Sequence, residues 1–305
     1  MTDSILHTGS LDAVETENAL PEPGPGPDDL ARLSINRWSL RTTPIQEFLE
    51  ATAAAGIGKV GLWRQDVEEV GLDALRRRTD DAGLHVTSLC RGGFLTASDP
   101  AERKAALEDN RRAIEETVGL GAPTLVMVVG GITREDKDLT AARARVTEGI
   151  AELAPYAEDA GITLSLEPMH PMFGADRAVL STTHQALDVA EQVASPAVGV
   201  VVDTYHVWWD PQLAGAVERA AQADRLLCYQ VCDWNLPLAA EPLYSRGYMG
   251  DGFVDFPAIT ALIKNAGYTG DIEVEIFNED VWADPAPTAL TTIADRYRRL
   301  VLPHA

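Results

Sequence analysis

Cysteine is scarce in this 305-residue chain: only Cys90, Cys228 and Cys232 occur, each inside an apolar run. Three unevenly spaced thiols cannot form a disulfide framework and read as small buried core residues, which points to a reducing, cytoplasmic setting. Basic residues are also short, with 25 Lys and Arg against 47 Asp and Glu for a net charge of −22. Such a surface repels nucleic-acid phosphates and anionic membranes, so neither is expected as a partner. No apolar run approaches the roughly 18 residues a spanning helix needs. The amino terminus also lacks the basic stretch and apolar core of an export signal. Finally, no strand candidate is followed by GxGxxG or GxxxxGK[ST], which removes the main support for a nucleotide-binding sheet.

What is present is enough for a full core, since 46% of the residues are apolar and 24% charged. Residues 1–30 carry seven acidic side chains and no Lys or Arg, and end in the run PEPGPGPDD. Such a segment sustains neither helix nor ladder and reads as a disordered acidic tail ahead of one domain over 31–305. From residue 32, Val/Ile/Leu-rich runs alternate with segments of helical period. The strand candidates are 32–38, 59–64, 85–90, 124–131, 163–168, 198–203, 226–231 and 271–277. Between them lie amphipathic stretches that often close on Gly, a favoured helix C-terminus. Eight strand–helix repeats without a nucleotide motif predict an α/β fold, a single (β/α)8 barrel.

In such a barrel the carboxyl ends of the strands face the site. Strand 5 ends in Glu167 and strand 6 in Asp203, strand 7 presents Gln230, and strand 8 presents Glu275. One acidic strand end is as readily a solvated or salt-bridged group. Three carboxylates and an amide on four consecutive strands would repel at low dielectric unless a cation sits among them, and a divalent ion is the simplest such cation. All-oxygen ligands favour a hard ion, Mn²⁺ or Mg²⁺ with Co²⁺ as a substitute. Cys228 and Cys232 share the inward parity of Gln230 but read as core filling.

These residues resemble the sugar isomerase/epimerase family of xylose isomerase-like barrels, which includes ketose 3-epimerases, hydroxypyruvate isomerase, inosose isomerases and inosose dehydratases. C-glycoside deglycosidase subunits are similar too. The resemblance spans nearly the whole barrel and is sharpest at LSLEP, VVDTYH, the run from CYQVCDW to RGYMGDGFVDFPAI, and GYTGDIEVEIF. It implies that Glu167, Asp203, Gln230 and Glu275 hold one metal ion, and that Glu167 and Glu275 also move the proton. It further implies that His206 and Arg246 bind substrate oxygens. Many members carry His where Gln230 stands, whereas hydroxypyruvate isomerase-like members carry Gln. A long NLPLAAEPLYS segment after strand 7 also departs from the pattern and remodels the rim.

Other rim residues admit two readings each. His170 fits an acid/base or a substrate donor as well as an ordinary loop histidine. Trp208 and Trp209 fit stacking on a sugar face or packing beneath a loop. Trp63 with Arg64, and Arg91, end strands 2 and 3, where they can meet hydroxyl or carboxylate oxygens. His85 and His184 read as structural. The implied chemistry is proton transfer through an enediolate on a keto- or aldo-sugar or an inosose. The main rival is a metal-dependent lyase that sends the same enediolate into β-elimination, as an inosose dehydratase or a 3-keto-glycoside deglycosidase, with His170 as its acid. A noncatalytic sugar-binding subunit and an endonuclease IV-like hydrolase rank below; the latter needs more His ligands and a basic groove. The expected partner is a small sugar or cyclitol, with a homo-oligomer, or a small second subunit for a deglycosidase.

Overall fold

The computed structural model describes residues 29–305. Its strands are β1 (Leu33–Asn36), β2 (Lys59–Trp63), β3 (His85–Gly93), β4 (Thr124–Val128), β5 (Thr163–Leu166), β6 (Val198–Asp203), β7 (Leu226–Val231), β8 (Asp233–Trp234), β9 (Arg246–Gly247) and β10 (Ile272–Val274). Eight of them close into a parallel barrel in the order β1-β10-β7-β6-β5-β4-β3-β2, while β8 and β9 pair antiparallel beyond the end of β7. Closure runs through β1 and β10, with Leu33 opposite Ile272 and Ile35 opposite Val274. All eight expected strands are present, and the (β/α)8 class holds.

The long helices form where sequence supplies both ends. Helix 100–120 starts at Asp99, whose carboxylate accepts from the Ala101 and Glu102 amides, with Pro100 at its first position. It stops at Gly121, which takes the left-handed φ of 70° that other residues resist. Helix 139–160 repeats the device between Asp138 and Gly161. The core lies between these helices and the barrel wall, where Val198, Val200 and Val202 of β6 are wholly buried beside Leu164 and Leu166 of β5.

Several expected strands run shorter than their apolar runs, the expected 32–38 and 163–168 ending at Asn36 and Leu166. The expected 124–131 ends at Val128, because Gly130 leaves the barrel and pairs with the rim near Ala178, its amide donating to the Arg177 carbonyl at 2.8 Å. The expected 271–277 shortens to three ladder residues, after which Glu275 and Phe277 enter the rim. The expected tail, 1–28, lies outside the described residues; just beyond it, Asp29 pairs with Arg298 at 2.5 Å and Leu30 is buried. No described helix is long and apolar enough to cross a membrane.

Candidate active site

Two of the four expected carboxyl-end groups, Asp203 and Glu275, converge on one side chain. Arg246, carried by β9, donates from Nη1 to Asp203 Oδ2 (3.0 Å), to Glu275 Oε2 (2.9 Å) and to the Glu275 carbonyl (3.1 Å). Arg246 is 1% exposed, and its guanidinium lies over the Phe277 and Tyr205 rings at 4.5 and 4.8 Å. The repulsion that called for a cation is thus relieved here by a guanidinium, and Arg246 binds the acidic residues themselves. Burial, with the Glu275 and Asp203 charges added and Arg246 opposing, holds the Glu167 carboxyl well above its ordinary range. Burial, opposed by Arg246 and reinforced by Asp203 and Glu273, pushes Glu275 up to about 8. Asp203 is raised as well, by burial against the pull of Arg246. Acids tuned toward neutrality are suited to exchange protons at working pH.

Beneath this tier lies a fourth carboxylate that sequence reasoning missed. Glu273 accepts from Asn36 Nδ2 (2.8 Å), Ser88 Oγ (2.7 Å), Thr87 Oγ1 (3.0 Å) and Gln230 Nε2 (3.0 Å), drawing in β1, β3 and β7. Gly61 on β2 leaves it room: a Cβ there would stand 2.5 Å from a Glu273 oxygen. The signal was available, since Glu273 shares the parity of Glu275 two residues on. Its bond to Gln230 orients that amide, because only the NH₂ can donate to a carboxylate. Gln230 Oε1 is then a buried acceptor with no donor, on a residue in register with Asp203.

His206 follows Asp203 on the short helix Thr204–Val207 and is fully buried. The His170 amide faces its Nδ1 (3.3 Å) while Arg246 Nη2, a donor only, faces Nε2, so two donors compete for the one acceptor nitrogen of the neutral ring. Nε2 lies 3.8 Å from Asp203 Oδ2, 4.0 Å from Glu167 Oε1 and 3.1 Å from Arg246 Nη2. Burial and the Arg246 charge keep this ring neutral by lowering its pKa well below the ordinary value. The His170 ring lies elsewhere, against Trp234 (4.8 Å) and Trp209 (5.5 Å), with its basicity lowered by burial.

A cavity of about 40 Å³ opens on the carboxylates, lined by Trp63, Arg91, Glu167, Arg177, Arg246 and Glu275 among others. Asp203, His206, His170 and Trp208 do not line it, and Gln230 lines a separate cavity with Glu273. Trp63 donates to Asn36 Oδ1 (2.8 Å) and packs on Trp38 and Phe277, whereas Arg64 turns outward to Asp109 and Glu116. The 235–245 segment forms the loop between β8 and β9 and places Leu243 in the cavity wall. Tyr205 Oη donates to the Pro242 carbonyl, and Glu241 pairs with Arg177 at 3.4 Å, so the loop is tied across the mouth. At its base, buried Asp233 accepts from the Gly250 (2.8 Å) and Val254 (2.9 Å) amides and shapes the turn that follows Arg246.

The donor set fits a hard divalent ion: three buried carboxylates and an amide oxygen without a donor. Potential ligand atoms of Glu167, Asp203 and His206 lie within 4.8 Å of one another, as do those of Cys90, Glu273 and Glu275.

Residues 49–300 match the xylose isomerase-like TIM barrel family. The chain belongs to that family. Among members, the L-ribulose 3-epimerase of Mesorhizobium japonicum is 24% identical over 261 residues, 83% of each chain. The ketose 3-epimerase of Arthrobacter globiformis is 28% identical over 192 residues, 62% of this chain and 61% of that one. Of solved structures, protein SMc04130 from Sinorhizobium meliloti superposes with a TM-score of 0.86 at 43% identity, covering 89% of this chain and 99% of that one. The IolI protein, solved with a zinc atom, superposes at 0.78 with 19% identity over 90% and 99%, a likeness of fold.

Proposed function

We propose that this barrel is a divalent-metal-dependent sugar isomerase or epimerase. The observation that carries the reading is the placing of Glu167 just after β5 and Glu275 just after β10, both lining one cavity and both held above the ordinary carboxyl range by burial. The named relatives, epimerases and inosose isomerases, support the substrate class of keto-sugars or inososes.

Glu167, Asp203, Gln230 and Glu275 would hold the ion, which when bound stabilises negative charge developing on a substrate oxygen. The chain's own groups do the rest. One of Glu167 and Glu275 accepts the proton from the carbon beside the carbonyl, and the other returns a proton to the neighbouring carbon or the opposite face. His206 contacts a substrate oxygen through Nε2. Arg246 trades its carboxylate bonds for substrate hydroxyls. The aromatic wall of Trp63 and Phe277 and the cap of Leu243 keep water from the carbanion-like centre. Because sugar-sized ligands need several hundred Å³, the 235–245 loop opens to admit them.

The test is to incubate the Mn²⁺ form with ketoses, inososes and 3-keto glycosides in D₂O and follow mass. The expected result is conversion with no group lost, the product heavier only by the deuterium it has gained. Loss of water or an aglycone, with no turnover of simple ketoses, identifies a lyase instead.

A further inference from the structure

Two arginines border the same small cavity as the carboxylates, and neither is consumed by them. Arg91, at the end of β3, has no carboxylate partner among the described residues; its guanidinium lies over the Phe94 ring at 4.2 Å. Arg177 stands on the rim segment after β5 with loose ties only, Glu241 at 3.4 Å and Asp176 at 3.6 Å, and its Nε has no hydrogen-bond partner. Burial first, and then the Arg177 charge, lowers the basicity of Arg91, so the two cations feel each other. In a chain with 47 acidic residues, carboxylates to neutralise such a pair are plentiful. Two half-buried guanidinium groups left facing one cavity carry a standing cost in desolvation and repulsion. An anion entering the cavity would relieve that cost, and the planar guanidinium fork matches carboxylate and phosphate oxygens. Arg246 differs from this pair in already having two carboxylate partners, Asp203 and Glu275.

We propose that Arg91 and Arg177 form an anion subsite, and that the substrate is an acidic sugar derivative, a sugar carboxylate or a sugar phosphate. The inference rests on the isomerase reading for the reacting end and adds the far end. Glu241 occupies one arm of the subsite in the closed state. A substrate anion that displaces it from Arg177 also releases one tie of the mouth loop, so binding and loop movement are coupled.

The experiment compares matched ligands on the full chain by calorimetry and by turnover: a neutral ketose, its terminal phosphate ester, and the keto-sugar acid of the same length. Inorganic phosphate serves as a competitor. The charged ligands should bind at least roughly tenfold tighter than the neutral one. Arg91→Gln and Arg177→Gln should each collapse that ratio toward unity, with Arg91→Lys and Arg177→Lys retaining part of it. Whichever charged ligand binds tighter names the source of the anion. A ratio near unity in the parent chain, or one that survives both Gln substitutions, overturns the subsite. The two readings fail separately: an anion preference kept by a protein that turns over no sugar removes the isomerase, whereas turnover of neutral ketoses without any preference removes the subsite.

Discussion

Replacing Arg246 by Met tests the electrostatic logic of the site most directly. Met preserves much of the side-chain volume but leaves Asp203 and Glu275 buried without their cation. Breaking a buried pair from one side costs about 3–5 kcal/mol, because the remaining charge has neither water nor partner. For a domain of this size that converts to a fall in Tm of roughly 6–20 °C. The loss depends on pH in a defined sense. Glu275 already titrates at about 8 with Arg246 beside it, and removing the cation raises that value further. At pH 6 the carboxyls of the variant take up protons and the penalty is softened; at pH 8.5 the wild type ionises them against Arg246 and the variant cannot, so the gap widens. A divalent ion should restore stability to the variant, by about 2.7 kcal/mol at a hundredfold excess over its Kd. Calorimetric melts in chelator and in Mn²⁺ at both pH values measure all of this. An unchanged Tm in chelator at pH 8.5 would refute the view that Arg246 is the counter-ion of the metal-free site. A drop that Mn²⁺ fails to reverse would refute the metal.

Three further outcomes are expected. In chelator, wild-type stability should decline as pH rises from about 5 to above 8: the folded state keeps a Glu275 proton that the unfolded chain, with a value near 4.5, has released. Melts across that range check it, and a rise instead would contradict the raised carboxyls. Glu167→Gln and Glu275→Gln should lower turnover roughly 10²-fold or more while weakening metal binding less, since an amide ligates through oxygen but accepts no proton; solvent deuterium exchange at the parent rate in both would end the two-carboxylate mechanism. Glu273→Gln should weaken divalent-ion binding by roughly tenfold or more by freeing the Gln230 amide to rotate. In a Gln230→Ala background the same change should do little, and equilibrium dialysis showing an equal loss in both backgrounds would assign Glu273 a purely electrostatic role.

The fold was legible because its signals are local. Each buried parallel strand is a short apolar run, and caps such as Asp99 with Gly121 mark helix ends within the same stretch of chain. The convergence of Glu167, Asp203 and Glu275 followed from that, since a barrel brings strand ends together whatever the loops do. What the rim loops decide was hidden. Arg246 reaches Asp203 across 43 residues through a two-residue ladder at β8 and β9, too short to leave a periodic trace. Arg177 and Leu243 enter the cavity from irregular segments, and His170 was drawn away from it by contacts with Trp209 and Trp234. Glu273 was overlooked for another reason: its parity was readable, but an acid in the barrel interior is tolerable only with the four donors that β1, β3 and β7 supply.

The guanidinium and a metal ion need not exclude each other at this centre. Arg246 answers the charge of Asp203 and Glu275, but it offers donors only, and Gln230 Oε1 remains without one while Glu273 holds the amide in place. A barrel built solely around an arginine–carboxylate pair would have no use for an amide oxygen fixed in that orientation, and an apolar residue at 230 would be cheaper to bury. Arg246 therefore fits best as the cation of the resting site, free to turn toward substrate oxygens once a divalent ion takes over the carboxylates. On that view the same residue that stabilises the metal-free barrel also competes with the metal, so Arg246→Met should lose stability in chelator and gain affinity for Mn²⁺. A protein in which Arg246 only supports the fold would lose both.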